Sequence, residues 1–242
     1  MHPILIKLGP FTVYSYGVMV AIGFAIATFC IYGRAPKFNI DKDKSIDLTI
    51  VALIFGILGA RGLYILLNIS SYIANPMEII MLSKGGLVWY GGFIAAIVAI
   101  VIYMRISKMD AWSVGDLMAP YLALAQAFGR IGCYLNGCCY GIENACGERL
   151  PTQLISAGLL FLIFLILRVW QDKRRFPGEI FLGYCVIYSC KRFLIEFLRG
   201  DNPKIFFGLT MSQIVSAIIF LVTMSIFISR SKQWKKRTAI SK

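Results

Sequence analysis

The chain has 242 residues, 58% of them hydrophobic, and a mean hydropathy of +0.73. That apolar share excludes an ordinary soluble domain, and no polar stretch is long enough to form one. The net charge of +13 reads as loop charge on a membrane protein rather than as affinity for nucleic acid, so no nucleic-acid partner is expected.

Spanning helices need about 20 largely apolar residues. They are predicted at residues 11–32, 46–68, 87–104, 111–128, 153–170, 179–198 and 209–228. The expected fold class is therefore all-α: a polytopic membrane protein with seven transmembrane helices, a single integral-membrane domain over residues 1–242. No small-residue cleavage site follows the first segment, which is expected to stay as an anchor. With the basic tail (Arg230 to Lys242) inside, sixteen Lys and Arg fall on the cytoplasmic side and six on the outer side. That asymmetry predicts the N-terminus outside and the C-terminus cytoplasmic.

The first segment carries Tyr14 and Tyr16 near its outer end. The second carries Arg61, roughly 22 Å above its inner end at about 1.5 Å per residue. The third begins with Trp89 and Tyr90, inside a glycine-flanked cluster, Gly85-Gly86-Leu-Val-Trp-Tyr90-Gly91-Gly92. Its aromatic residues suit an interfacial belt, and its glycines suit either close helix packing or backbone exposed to a headgroup. The fourth segment delivers Arg130 at its outer end. There the chain reads Gly-Arg-Ile-Gly-Cys-Tyr-Leu-Asn-Gly-Cys-Cys-Tyr-Gly over residues 129–141, a composition unlike a simple connector. In the sixth segment Lys191 and Arg192 lie roughly 18–20 Å above the inner end. Tyr188, Arg192, Glu196 and Arg199 fall there on one helical face.

A mid-membrane cation costs about 2.5–3.5 kcal/mol on insertion scales. Arg192 and Glu196 are compatible with a buried pair that only fixes packing. Several cations from separate segments at one depth point instead to an anion at the level of the outer-leaflet headgroups. A phospholipid phosphate matches the arginine fork.

The single histidine, His2, leaves no His pair for zinc, and neither a phosphate loop nor a dinucleotide fingerprint is present. No cofactor and no metal are expected. Cys30, Cys185 and Cys190 read as apolar packing. Cys133, Cys138, Cys139 and Cys146 share the outer loop. Disulfides in an oxidising compartment suit them, whereas the CxxxxCC run lacks a recognisable zinc spacing.

Along nearly its whole length the chain resembles the bacterial prolipoprotein diacylglyceryl transferases. The resemblance rests on His2-Pro3 with Gly9-Pro10 and Tyr16-Gly17, on Gly-Ala-Arg61-Gly-Leu-Tyr64, and on the Gly86–Gly92 cluster. It rests further on Gly129-Arg130-Ile-Gly132-X-Tyr134-X-Asn136-Gly137, Pro151-Thr152-Gln153-Leu154, Tyr188-X-X-X-Arg192-Phe-X-X-Glu196-Phe-X-Arg199 and Met211-Ser-Gln213. The resemblance implies an enzyme of the bacterial cytoplasmic (inner) membrane. It would move diacylglyceryl from phosphatidylglycerol, a membrane lipid, to the cysteine thiol of a preprolipoprotein lipobox peptide and release glycerol phosphate.

It also implies site roles. Arg130 and Arg192 would hold the phosphate, Glu196 would orient Arg192, and Arg199 and Arg61 would add headgroup contacts. Tyr16 and Tyr188 would hydrogen-bond the lipid, while Asn136, Gly132 and Gly141 would shape the loop. Tyr90 stands where the family has a histidine, a candidate base, and Cys133 and Cys138 stand where it has asparagine and glutamate. A free thiol is already a few per cent thiolate near neutrality, so transfer does not require that base. A paralogue with another acceptor and a non-catalytic phospholipid-binding or transport protein are the competing readings; the absence of an inverted repeat weighs against a transporter.

Overall fold

The computed structural model describes residues 3–8, 11–74, 86–143, 147, 149–200, 202–206 and 208–240. His2, Gly9, Pro10, Gly85 and Cys146 lie outside them. The elements in order are strands β1 (Ile4–Leu8) and β2 (Phe11–Tyr14), helix α1 (Ser15–Arg34), a 3-10 turn (Ala35–Phe38), and helices α2 (Lys42–Leu67), α3 (Ile69–Ala74), α4 (Trp89–Ile106) and α5 (Ala111–Asn136). They continue with α6 (Thr152–Gln171), α7 (Glu179–Glu196), strands β3 (Lys204–Phe206) and β4 (Leu209–Thr210), and α8 (Met211–Ile240). The fold is all-α, with two small two-stranded sheets, β1–β2 and β3–β4.

Each of the seven predicted segments falls on a long helix, with differences at the ends: residues 209–210 are extended in β4, and the last helix runs on past residue 228 to Ile240. Residues 11–14 are extended in β2 rather than helical. The fourth helix does not stop at residue 128 but runs on to Asn136, so most of the glycine- and cysteine-rich stretch is helical. Among the described residues, five helices are long and apolar enough to cross a membrane: Ser15–Phe38, Lys42–Leu67, Trp89–Ile106, Thr152–Gln171 and Met211–Ala239. Apolar side chains such as Phe29, Leu58, Leu162 and Leu221 stand exposed on them, as hydrocarbon-facing positions do. This is a multi-pass membrane protein.

The contacts divide the chain into two compact units. One comprises residues 8–12 and 31–114. In it, the Asp41 carboxylate caps α2 by accepting from the backbone N–H of Asp43 (2.9 Å) and Lys44 (3.3 Å). Helix α4 packs against α2, and glycines make that approach possible. A Cβ on Gly92 would stand 2.6 Å from the Gly56 carbonyl oxygen, and one on Gly91 would meet Gly59 and Leu63. The Gly91-Gly92 pair therefore serves helix packing.

The other unit comprises residues 1–7, 13–30 and 115–242. Its core joins Ala119 and Ala123 of α5, Ile163 and Leu167 of α6, and Ile180 and Tyr184 of α7. Asp116 organises one end of this core. Its carboxylate, fully buried, accepts from the backbone N–H of Gly178 (2.7 Å), Ile180 (2.9 Å) and Phe181 (2.9 Å). These are orphan donors at the start of α7, capped here from a different helix. Gln171 adds a bond from its amide to the Asp116 carbonyl at 2.8 Å. Helix α8 begins with a capping box. The Thr210 N–H donates to Gln213 Oε1 (2.9 Å), and the Gln213 N–H donates to Thr210 Oγ1 (3.3 Å).

Candidate active site

At the other end of the same unit, the polar groups of α5 and α7 come together. Arg192 and Glu196, one turn apart on α7, form an ion pair at 2.9 Å. Arg192 also donates to Ser212 Oγ at 2.8 Å. The buried Glu196 carboxylate is shared three ways, its Oε1 accepting from Asn202 Nδ2 (2.5 Å) and Thr210 Oγ1 (2.9 Å). The start of α8 is thereby tied to α7 through one carboxylate. Lys191, 7% exposed, donates to Ser156 Oγ of α6 at 2.5 Å and lies 5.5 Å above the Tyr188 ring. Arg130, Arg192 and Arg199 all act on Lys191 electrostatically. Four cations from α5, α7 and the turn after α7 thus share one region with the buried carboxylate of Glu196. Among the described residues Arg130 makes no hydrogen bond or ion pair and is half-buried.

The loop after α5 is pinned over this region. Gly141 and Arg199 form an antiparallel bridge, and the Ile142 N–H donates to the Leu198 carbonyl at 3.0 Å. A Cβ at Gly141 would stand 2.6 Å from that carbonyl oxygen and 2.7 Å from the Thr152 methyl; only glycine fits. Gly132 likewise faces Tyr16, where a Cβ would come 3.1 Å from the ring and 3.3 Å from its Cα. Asn136 is the last residue of α5, and the Cys138 thiol lies 3.7 Å from the Cys133 carbonyl oxygen. All six described cysteines are free thiols. A hydrogen bond from Cys133 lowers the pKa of the Cys139 thiol, and Arg199 and Arg130 act in the same direction. Burial raises that of Cys138. A pocket of about 570 Å³ opens beside this loop, lined by Cys138, Cys139, Gly141, Arg149 and Gly200 among others.

Of the predicted site residues, Tyr16, Arg130, Gly132, Asn136, Gly141, Tyr188, Arg192, Glu196 and Arg199 belong to this unit. Arg61 and Tyr90 belong to the other. Arg61 is 6% exposed and donates to the Gly86 carbonyl at 3.3 Å, with the rings of Tyr64 and Tyr72 at 5.8 and 5.5 Å. Tyr90 is exposed and meets Trp89 edge-on at 5.3 Å. Ser156, Ser212, Asn202 and Thr210 were not expected in the site. Only Thr210 carried a readable signal, the Thr-X-X-Gln of its capping box.

The chain is thus an all-helical membrane protein with a concentrated cation cluster beside a glycine-pinned loop. Residues 3–229 match the family model described as prolipoprotein diacylglyceryl transferase, and the chain belongs to that family. It is 33% identical to a phosphatidylglycerol–prolipoprotein diacylglyceryl transferase of Clostridium tetani, covering 98% of this chain and 100% of the relative. It is 33% identical to a second transferase of that name from Clostridium perfringens, over 91% of this chain and 92% of the relative. A Listeria monocytogenes transferase of the same name is 32% identical over 95% of this chain and 90% of the relative.

Proposed function

We infer that the chain transfers a diacylglyceryl group from phosphatidylglycerol to the cysteine thiol of a prolipoprotein and releases glycerol phosphate. The supporting observation is that Arg130, Arg192 and Arg199 all act electrostatically on the buried Lys191, while the buried carboxylate of Glu196 is paired with Arg192. That carboxylate offsets one positive charge and leaves an excess for a phosphodiester.

The thiolate attacks the glycerol carbon that carries the phosphate, forming a carbon–sulphur bond. The carbon–oxygen bond to phosphate breaks, and its electron pair stays on the phosphate oxygen. Fixed cations stabilise the charge that grows there. Arg130 contributes its fork, and Arg192 is aimed by Glu196 and Ser212. Tyr16 and Tyr188 bind the lipid's ester or headgroup. Asn136, Gly132 and Gly141 shape the loop above it.

In this reading the whole chain is one membrane domain with seven spans, α5 and α7 crossing as the two more polar helices. The N-terminus lies outside, the tail lies in the cytoplasm, and the site faces the outer leaflet of the bacterial cytoplasmic membrane. The acceptor is the lipobox segment of a prolipoprotein.

Purified protein in phosphatidylglycerol-containing micelles, given a lipobox peptide, is expected to yield the diacylglyceryl thioether by mass spectrometry and glycerol phosphate in equal amount. An unmodified peptide, under conditions where the Clostridium tetani relative lipidates it, would overturn the assignment.

A further inference from the structure

Three thiols at the end of α5 and in the loop after it have no place in that chemistry. The Sγ atoms of Cys133, Cys138 and Cys139 lie within 4.8 Å of one another, and those of Cys138 and Cys139 are 3.5 Å apart. Cys139 adopts a left-handed backbone, φ 65°, which is uncommon for a residue with a side chain. Buried partners hold it there. The Cys138 N–H donates to the Cys133 carbonyl (3.1 Å), the Gln153 amide to the Cys138 carbonyl (2.7 Å), and the Thr152 hydroxyl to the Cys139 carbonyl (3.1 Å). Thr152 and Gln153 are 2% and 1% exposed. The clustering of the thiols is therefore set by the packed start of α6.

A tetrahedral ion with metal–sulphur bonds of about 2.3 Å places its sulphur ligands about 3.8 Å apart. Three thiols already within 4.8 Å need only small movements to reach that spacing. Three sulphurs with no carboxylate among them select a soft cation. Three thiolates and one zinc ion sum to a single negative charge, and Arg130 and Arg199 both act electrostatically on Cys139.

We propose that Cys133, Cys138 and Cys139 form a zinc site with three thiolate ligands and a fourth position open to the acceptor thiol. The proposal rests on the transferase reading and deepens it. Three protein ligands with one open position is the arrangement of catalytic rather than structural zinc. A thiol that joins such an ion is deprotonated outright. The acceptor's proton passes to water, its sulphur then bonds to the glycerol carbon, and the phosphate oxygen leaves with the electron pair of the broken bond. Zinc is neither oxidised nor reduced. Few other groups are available to activate the thiol, since the chain's single histidine is His2 and Glu196 is taken by Arg192, Asn202 and Thr210.

The test uses the full chain in detergent, reduced and stripped of metal, titrated with zinc against a chromophoric chelator and separately with cobalt(II). One equivalent is expected to bind, and cobalt is expected to show a thiolate charge-transfer band. Cys139→Ser and Cys133→Ser, measured separately, should weaken binding by more than the roughly 10–100-fold typical of losing an outer-shell partner. Cys190→Ser should bind as the wild type does. Wild-type affinity no better than that of a triple Cys133/Cys138/Cys139→Ser variant overturns the site. A lipobox peptide added to the cobalt form should change the band, and its Cys→Ser version should not; an unchanged band overturns the open position. Transfer at full rate by the metal-free protein overturns the role given to zinc. Intact metal binding without any transfer counts instead against the transferase reading.

Discussion

Arg192 and Glu196 face each other at 2.9 Å across one turn of α7, and the second oxygen of the same carboxylate holds Asn202 and Thr210. The pair is thus both a charge relationship and a joint between α7 and the start of α8. Glu196→Gln keeps an oxygen for Thr210 but leaves Arg192 without its counter-charge. Removing one partner of a buried pair costs about 3–5 kcal/mol. A clear fall in thermal midpoint in detergent is expected, together with weaker transfer; an unchanged midpoint would show the pair to be dispensable.

Arg130 differs from Arg192 in making no ion pair among the described residues, so its removal should affect chemistry more than folding. Losing one preorganised donor to a developing oxyanion typically costs about 10²–10³-fold in rate. Arg130→Ala is expected to lower transfer by that factor at an unchanged thermal midpoint. Arg130→Lys should recover only part of it, because an ammonium lacks the fork. Rescue of a transferase-depleted strain by Arg130→Ala would remove this arginine from the centre of the site.

Gly141 and Gly158 make a contrasting pair. A Cβ at Gly141 meets the Leu198 carbonyl oxygen at 2.6 Å, whereas at Gly158, within α6, nothing lies within 4 Å. Gly141→Ala is expected to cost about 1–3 kcal/mol through overpacking and to slow transfer by displacing the loop. Gly158→Ala should stabilise the helix by roughly 0.5–1 kcal/mol. Equal effects on the two thermal midpoints would contradict this account.

Asp116 stands far along α5 from Arg130, and its partners are three backbone donors and the Arg174 guanidinium at 3.3 Å. Asp116→Ala strands the N–H groups of Gly178, Ile180 and Phe181, each worth about 1–3 kcal/mol when left buried and unsatisfied. Folded yield is expected to collapse, with Asp116→Asn intermediate because it keeps one acceptor oxygen. Turnover per folded molecule of Asp116→Asn should stay near wild type; a selective loss of turnover would give Asp116 a part in the chemistry.

The amino-acid sequence by itself determined that this chain is helical and lives in a membrane. Hydropathy over a span and the spacing of Arg192 and Glu196 on one face are local properties, legible without knowing which helices are neighbours. The arginine signature and its companions likewise announced the family. What only the tertiary structure decided is the identity of each buried polar group's partner. Lys191 found Ser156 on α6, Asp116 capped α7 from α5, and Glu196 reached Thr210 at the start of α8. The role of Gly91 and Gly92 was decided in the same way, because a glycine's meaning depends on what its missing side chain would strike. Cys133, Cys138 and Cys139 carry no recognisable spacing as a string of letters. They come together because α5 runs on to Asn136 and because Thr152 and Gln153 hold the next two cysteines by their carbonyls. Partners of this kind are chosen by packing between segments distant in the chain, and no local pattern encodes them.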